Sequence, residues 1–138
     1  MKLISHSSEE TKKFAKNLAK DFQSGIIALT GDLGSGKTTF ALGFAEGLGI
    51  KTKIISPTFV LVRQHPIPKT KKILYHIDLY RLDTDKHIIH SGIEEILNDQ
   101  KDVILVEWAQ KAKNLLPKGT RWISFKTIGE NSREITVH

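Results

Sequence analysis

The sequence predicts a three-layer α/β fold around a mixed, partly parallel central sheet that ends in an antiparallel strand pair. Three observations carry this. The apolar run Ile26-Ile27-Ala28-Leu29 leads into a glycine-rich octapeptide, Gly31-Asp32-Leu33-Gly34-Ser35-Gly36-Lys37-Thr38, and residues 38–45 then read as the helix leaving it. Val103-Ile104-Leu105-Val106 is a second wholly apolar run, as expected of a strand covered on both faces in the middle of a parallel sheet. Residues 121–126 and 133–137 alternate in polarity around a turn at 129–132, the pattern of a terminal antiparallel pair.

The remaining elements follow in order. Ser7-Ser8-Glu9-Glu10 is a capping-box pattern, and Phe14, Leu18 and Phe22 recur at four-residue steps, which predicts an amphipathic first helix stopped before Gly25. The helix after the octapeptide closes at Gly47-Leu48-Gly49, a glycine C-cap. Residues 53–55, 60–64 and 72–77 read as strands, the last two forming a hairpin across Pro66-Ile67-Pro68-Lys69. Helical spacing runs over 84–97 with a break at Ser91-Gly92, which places Glu94 and Glu95 in the first turn of its second piece. With 138 residues and no repeat or linker, the chain is expected to form one domain.

The octapeptide fits G-x-x-x-x-G-K-[ST], and its chemistry explains its spacing. Glycines permit positive φ and leave no Cβ in the way, so successive backbone N–H groups can wrap a phosphate at a helix N-terminus. Lys37 reaches the β and γ phosphates of a nucleoside triphosphate, and the Thr38 hydroxyl is placed to ligate the magnesium ion bridging them. Strand, loop and helix in this order define a P-loop NTPase-like fold.

Such a loop needs an acid at the end of a neighbouring strand to hold magnesium, and two candidates stand at strand ends. Glu107 follows the apolar run 103–106, and Asp78 follows 73–77, which carries the polar His76. Spacing does not choose between them; one would ligate magnesium while the other orients or deprotonates the attacking water. Ser56-Pro57-Thr58-Phe59 lies where many NTPases keep a segment that senses the γ-phosphate, and Thr58 offers a hydroxyl there.

Composition narrows the field. The chain has no cysteine, which excludes disulfides, cysteine-based zinc sites and thiol catalysis. No apolar stretch approaches the ~20 residues needed to cross a bilayer, so a soluble cytoplasmic protein is expected. The net charge of +6 comes mainly from lysine. Lys51, Lys53, Lys69, Lys71 and Lys72 lack aromatic interleaving, so a solvated surface outweighs a nucleic-acid interface. His87 and His90 have no third ligand at a metal-binding spacing.

Taken together, the octapeptide with Thr39-Phe40, then Gly43 and Leu48-Gly49, then Ser56-Pro57-Thr58-Phe59, Asp78-Leu79-Tyr80-Arg81-Leu82 and Val106-Glu107-Trp108 resemble the TsaE (YjeE) ATPases of bacterial tRNA threonylcarbamoyladenosine synthesis. The resemblance covers almost the whole chain. It implies that Thr38 and Glu107 hold Mg2+, and that Lys37 and the loop from Asp32 through Leu33, Gly34, Ser35 and Gly36 to Thr39 bind ATP. Asp78 would then stand near the γ-phosphate for hydrolysis, with Thr58 in a switch-like segment. Ser8, Trp108, Gln110 and Arg133 are carried over as further nucleotide contacts. Ser35 departs from the family, which usually has alanine there. The implied activity is ATP hydrolysis coupled to the TsaB–TsaD heterodimer, with tRNA reached through that complex.

Two other classes stand beside this reading. A small-metabolite P-loop kinase would need an acceptor pocket and usually an arginine-bearing lid, and the arginines at 63, 81, 121 and 133 are scattered. A GTPase-like switch would need an Asn-Lys-x-Asp element, which the sequence lacks.

Overall fold

The computed structural model describes residues 1–51, 62–82, 92–99 and 101–138. The expected strand at 53–55, the segment holding Thr58, the first two residues of the strand expected at 60–64, and the whole first helical piece expected from residue 84 to the break at 91 lie outside them. The elements are β1 (Lys2–Ser5), α1 (Ser8–Lys20), β2 (Gly25–Gly31), α2 (Lys37–Gly47), β3 (Val62–Pro66), β4 (Ile73–Asp78), α3 (Ile93–Leu97), β5 (Val103–Glu107), a 3₁₀ turn (Ala109–Ala112), β6 (Arg121–Thr127) and β7 (Arg133–Val137). The strands form one sheet in the order β1-β7-β6-β2-β5-β4-β3.

The sheet is mixed, as expected, and its parallel part is central. β2 runs parallel to both β5 and β6, and β4 runs parallel to β5. The apolar runs of β2 and β5 alternate between two cores. Ile27, Leu29, Val103 and Leu105 pack on one face under α1 and α2, while Ile26, Ala28, Ile104 and Val106 pack on the other with Ile93 and Leu97 of α3. Both expected hairpins form, β3–β4 with Val62 opposite Ile77, and β6–β7 with Thr127 opposite Arg133. Pro66 ends β3 at the sheet edge, where a missing N–H removes no ladder bond. Two features go beyond the sequence reading: β1 adds an edge strand on β7, and β6 joins β2 directly.

α1 starts where the capping pattern placed it. The Glu10 N–H donates to Ser7 Oγ at 3.1 Å, and Glu10 Oε2 in turn accepts from the His6 N–H at 2.7 Å, one residue before the cap. The buried stripe of α1 is Thr11, Ala15 and Ala19; Phe14, Leu18 and Phe22 are only partly buried beside it. Small residues line that stripe because α2 lies very close. A Cβ on Gly43 would stand 2.4 Å from the Lys12 carbonyl oxygen, and one on Gly47 would stand 2.4 Å from that of Lys16. Around this contact the rings of Phe14 and Phe40, Phe40 and Phe44, and Phe22 and Phe44 pair at 6.0 Å, and Phe125 of β6 meets Phe40 at 5.6 Å. α2 ends in a Schellman motif: Ile50 N–H donates to Ala45 and Gly49 N–H to Glu46, with Gly49 at φ 88°. No described helix is long and apolar enough to cross a membrane.

Candidate functional site

The parallel strands β2, β4 and β5 end side by side, with Asp78 opposite Glu107 and Leu29 opposite Glu107 on the other flank of β5. The glycine loop leaves β2 at this edge and turns into α2. Gly36 caps α2 at φ 106° with no side-chain acceptor, so the first-turn N–H groups face the loop without a capping side chain. At Gly31 (φ 145°) a Cβ would come within 2.6 Å of the Phe125 carbonyl oxygen, so glycine is required by both torsion and space. The Ser35 N–H closes the loop on Asp32 O at 3.1 Å.

Lys37, the first residue of α2, folds back over this loop. Its Nζ donates to the carbonyls of Gly31 and, at 2.9 Å, Asp32, and lies 4.0 Å from the centre of the Trp108 ring. Burial pulls the Lys37 ammonium below its ordinary pKa, an effect opposed by the nearby charges of Glu107, Asp78 and Asp32. Thr38 Oγ1 donates to Glu107 Oε1 at 3.0 Å. The other oxygen, Oε2, is 2.6 Å from His76 Nε2, and both side chains are buried. Asp78 Oδ1 accepts from the Tyr80 N–H at 2.9 Å. Burial pushes the Asp78 carboxyl up, and the neighbouring Glu107 adds to that, while the Tyr80 N–H, His76 and Lys37 pull the other way.

A cleft of about 370 Å³ opens over these groups. Tyr80 and Trp108, with ring centres 5.1 Å apart, form one wall, and Lys111 Nζ reaches over both rings. Trp108 takes this place because it turns off β5 in the left-handed region at φ 57°. The first turn of α1, with Ser7, Ser8 and Thr11, and the β6–β7 turn, with Asn131 and Arg133, also line the cleft. The Arg133 guanidinium donates to Gly34 O at 3.2 Å and to Ser132 O at 3.0 Å, tying that turn to the glycine loop.

The cleft therefore brings together Ser8, Leu33, Gly34, Gly36, Lys37, Thr38, Thr39, Asp78, Glu107, Trp108 and Arg133 of the residues expected from sequence. Three others do not line it. Asp32 contributes its carbonyl to Lys37 from behind, Gln110 is exposed on the 3₁₀ turn, and Ser35 is buried, its hydroxyl lacking a hydrogen-bond partner among the described residues. Thr58 lies outside the described residues. Sequence reasoning passed over His76, noting only its polarity; a histidine two residues before a strand-end acid, on the same face of β4, was the available signal. No group of three His, Asp or Glu side chains that could hold a metal is present among the described residues, so Thr38 and Glu107 stand as a two-residue oxygen donor pair. Lys69 and Lys71 are exposed on the β3–β4 turn.

Comparison with known proteins identifies the family and the fold. A family model described as threonylcarbamoyl adenosine biosynthesis protein TsaE matches residues 5–135. A Bacillus subtilis protein named tRNA threonylcarbamoyladenosine biosynthesis protein TsaE is 42% identical over 132 residues, spanning 93% of this chain and 78% of its own length. A Treponema pallidum protein of the same name is 33% identical over 138 residues, with 99% of both chains covered. Among solved structures, the crystal structure of Bacillus subtilis YdiB superposes with a TM-score of 0.80 at 38% identity, covering 99% of this chain and 83% of that one. On a family match over nearly its whole length and a shared fold, the chain belongs to the TsaE family of tRNA threonylcarbamoyladenosine biosynthesis.

Proposed function

We propose that this chain is a cytoplasmic protein that binds ATP with Mg2+ and hydrolyses it, acting with TsaB–TsaD in threonylcarbamoyl modification of the adenosine beside the anticodon in tRNAs. The observation that carries this is the 3.0 Å contact between Thr38 and Glu107 at the mouth of a glycine loop whose lysine lies against the loop's own carbonyls. Two hard oxygen donors at the ends of α2 and β5 suit a magnesium ion, which takes oxygen ligands and keeps several waters. When bound, the ion would neutralise charge on the β and γ phosphate oxygens.

The chain's own residues account for the rest. Lys37 exchanges its loop carbonyls for phosphate oxygens, and the bare N–H groups at Gly36 and the start of α2 receive the anion. Asp78, held by the Tyr80 N–H and raised in pKa, is oriented to take a proton from the attacking water, because a base nearer the working pH is the better acceptor. Trp108, Ser8 and Arg133 line the cleft and are assigned as nucleotide contacts on the resemblance. Gln110 and Thr58 are assigned on the resemblance alone. Among the described residues no arginine lid covers the cleft, so a partner is expected to raise the rate by ordering Thr58 or supplying positive charge at the γ-phosphate.

Phosphate release from Mg2+-ATP, with and without TsaB–TsaD, tests the assignment. Stimulated release in the wild type, lost in Glu107→Ala and Asp78→Ala, is expected. An unchanged rate with partners, under conditions that support tRNA modification, would refute the coupling. Consumption of ATP only with an added metabolite that becomes phosphorylated would replace hydrolysis by the kinase reading.

A further inference from the structure

Glu107 is held at three points. Its carbonyl accepts from the Leu79 N–H at 3.2 Å, Oε1 accepts from Thr38, and Oε2 lies 2.6 Å from His76 Nε2. His76 stands opposite Leu105 on β4, diagonal to Glu107, on the sheet face that carries α2. It is 1% exposed and Glu107 2%. A carboxylate acting as a metal ligand only accepts hydrogen bonds, and in that role its partner in this contact is an Nε2–H donor. A buried pair of this kind is weak evidence for a stabilising role. Replacing a buried ion pair with apolar side chains of similar volume is often neutral or stabilising, because it removes the cost of burying a charge.

We infer that His76 is a positioning residue for Glu107: by holding Oε2, it presents Oε1 to Thr38 and to the magnesium ion those two residues would share. The inference rests on the proposed function. A free glutamate side chain rotates about three torsions, and without His76 the carboxylate could turn both oxygens toward Lys37 or swing out of reach of Thr38. With one oxygen tied and the other aimed, the chain offers a single-oxygen donor in a fixed place before any metal arrives, and such supporting partners commonly set metal affinity.

The test compares two polar replacements of different reach. The glutamine amide nitrogen falls near the place of Nε2 and can still donate to Glu107, whereas that of asparagine falls near Nδ1 and cannot. ATP affinity is measured by calorimetry in Mg2+ and in EDTA, and the ratio of the two affinities is the readout. His76→Asn is expected to lose about tenfold or more of the magnesium-dependent gain, and His76→Gln to stay within about threefold of the wild type, with EDTA affinities unchanged in both. Retention of the full gain in His76→Asn would overturn the proposal, as would equal losses in both variants with matching losses in EDTA. If His76→Asn does not fold, loss of the gain in a folded His76→Gln protein overturns it instead. Glu107→Gln separates the two levels. A gain kept in that variant removes the metal assignment, while a gain lost there and kept in His76→Asn removes only the positioning role.

Discussion

Substituting Gly43 by alanine puts one methyl group into the contact between α1 and α2. The new Cβ would lie 2.4 Å from Lys12 O, 2.7 Å from Lys12 Cα and 2.9 Å from Lys12 C, where ordinary contact begins at 3.4 Å, so the helices must part by about 1 Å. Every obstructing atom is backbone, and no rotamer change relieves it. Overpacking of this kind costs about 1–3 kcal/mol, and a backbone obstacle belongs at the upper end. Alanine returns ~1 kcal/mol of helix propensity, leaving a net loss of about 2 kcal/mol. For a domain of this size that lowers Tm by roughly 8 °C, readable by calorimetry or circular dichroism. The first turns of both helices line the cleft, at Ser8 and Thr38, so ATP affinity should fall as well. Gly119→Ala, with nothing within 4 Å of the added carbon, is the control and should stay within about 0.5 kcal/mol of the wild type. A Gly43→Ala protein melting at or above the wild-type temperature would refute the claim that glycine sets the spacing of these helices.

Three further predictions concern the site and its frame. Burial raises the folded pKa of Asp78 above 3.8, so the stability linked to this group is complete below the unfolded value and is lost as pH rises through the folded one. Asp78→Asn keeps an acceptor for the Tyr80 N–H; it should raise Tm at pH 7 but not at pH 3 while abolishing hydrolysis, and an equal gain at both pH values would contradict the sign. Ser7→Ala removes the α1 cap and should cost about 1 kcal/mol in urea unfolding, a result contradicted by an unshifted midpoint. ATP should change indole emission as Lys37 leaves the Trp108 ring, in the wild type and in Trp122→Phe but not in Trp108→Phe. Heat of binding without any emission change in Trp122→Phe would mean that the lysine stays where it is.

Local chemistry was legible wherever it was written in contiguous residues. The capping box at Ser7, the glycine stop at Gly49, the two wholly apolar strands and both hairpins were found because a turn residue or a period of two marks them. β1 was passed over because Lys2–Ser5 is four residues long and only Ser5 of it is buried, so it carries almost no periodic signal. In α1 the phenylalanines drew attention, while the buried stripe is Thr11, Ala15 and Ala19; small residues signal close packing only once the glycines of α2 are seen opposite them. Asp78 and Glu107 could be nominated from strand ends, but their inequality depends on the contact of Glu107 with Thr38, sixty-nine residues away in sequence. The role of His76 was hidden for the same reason, since its partner lies on another strand.

The placement of β2 has a consequence for the order in which the chain can acquire its binding loop. Its two sheet neighbours are β5, beginning at Val103, and β6, beginning at Arg121, and the carbonyl of Phe125 is what packs against Gly31. Closing contacts across such separations is slow, because loop-closure entropy is lost before the pairing is gained. A nascent chain that has emerged only through α2 has the complete glycine loop in its sequence and neither strand that supports it. Competence to hold a nucleotide is therefore expected late in synthesis, once residues beyond 125 are free to join the sheet.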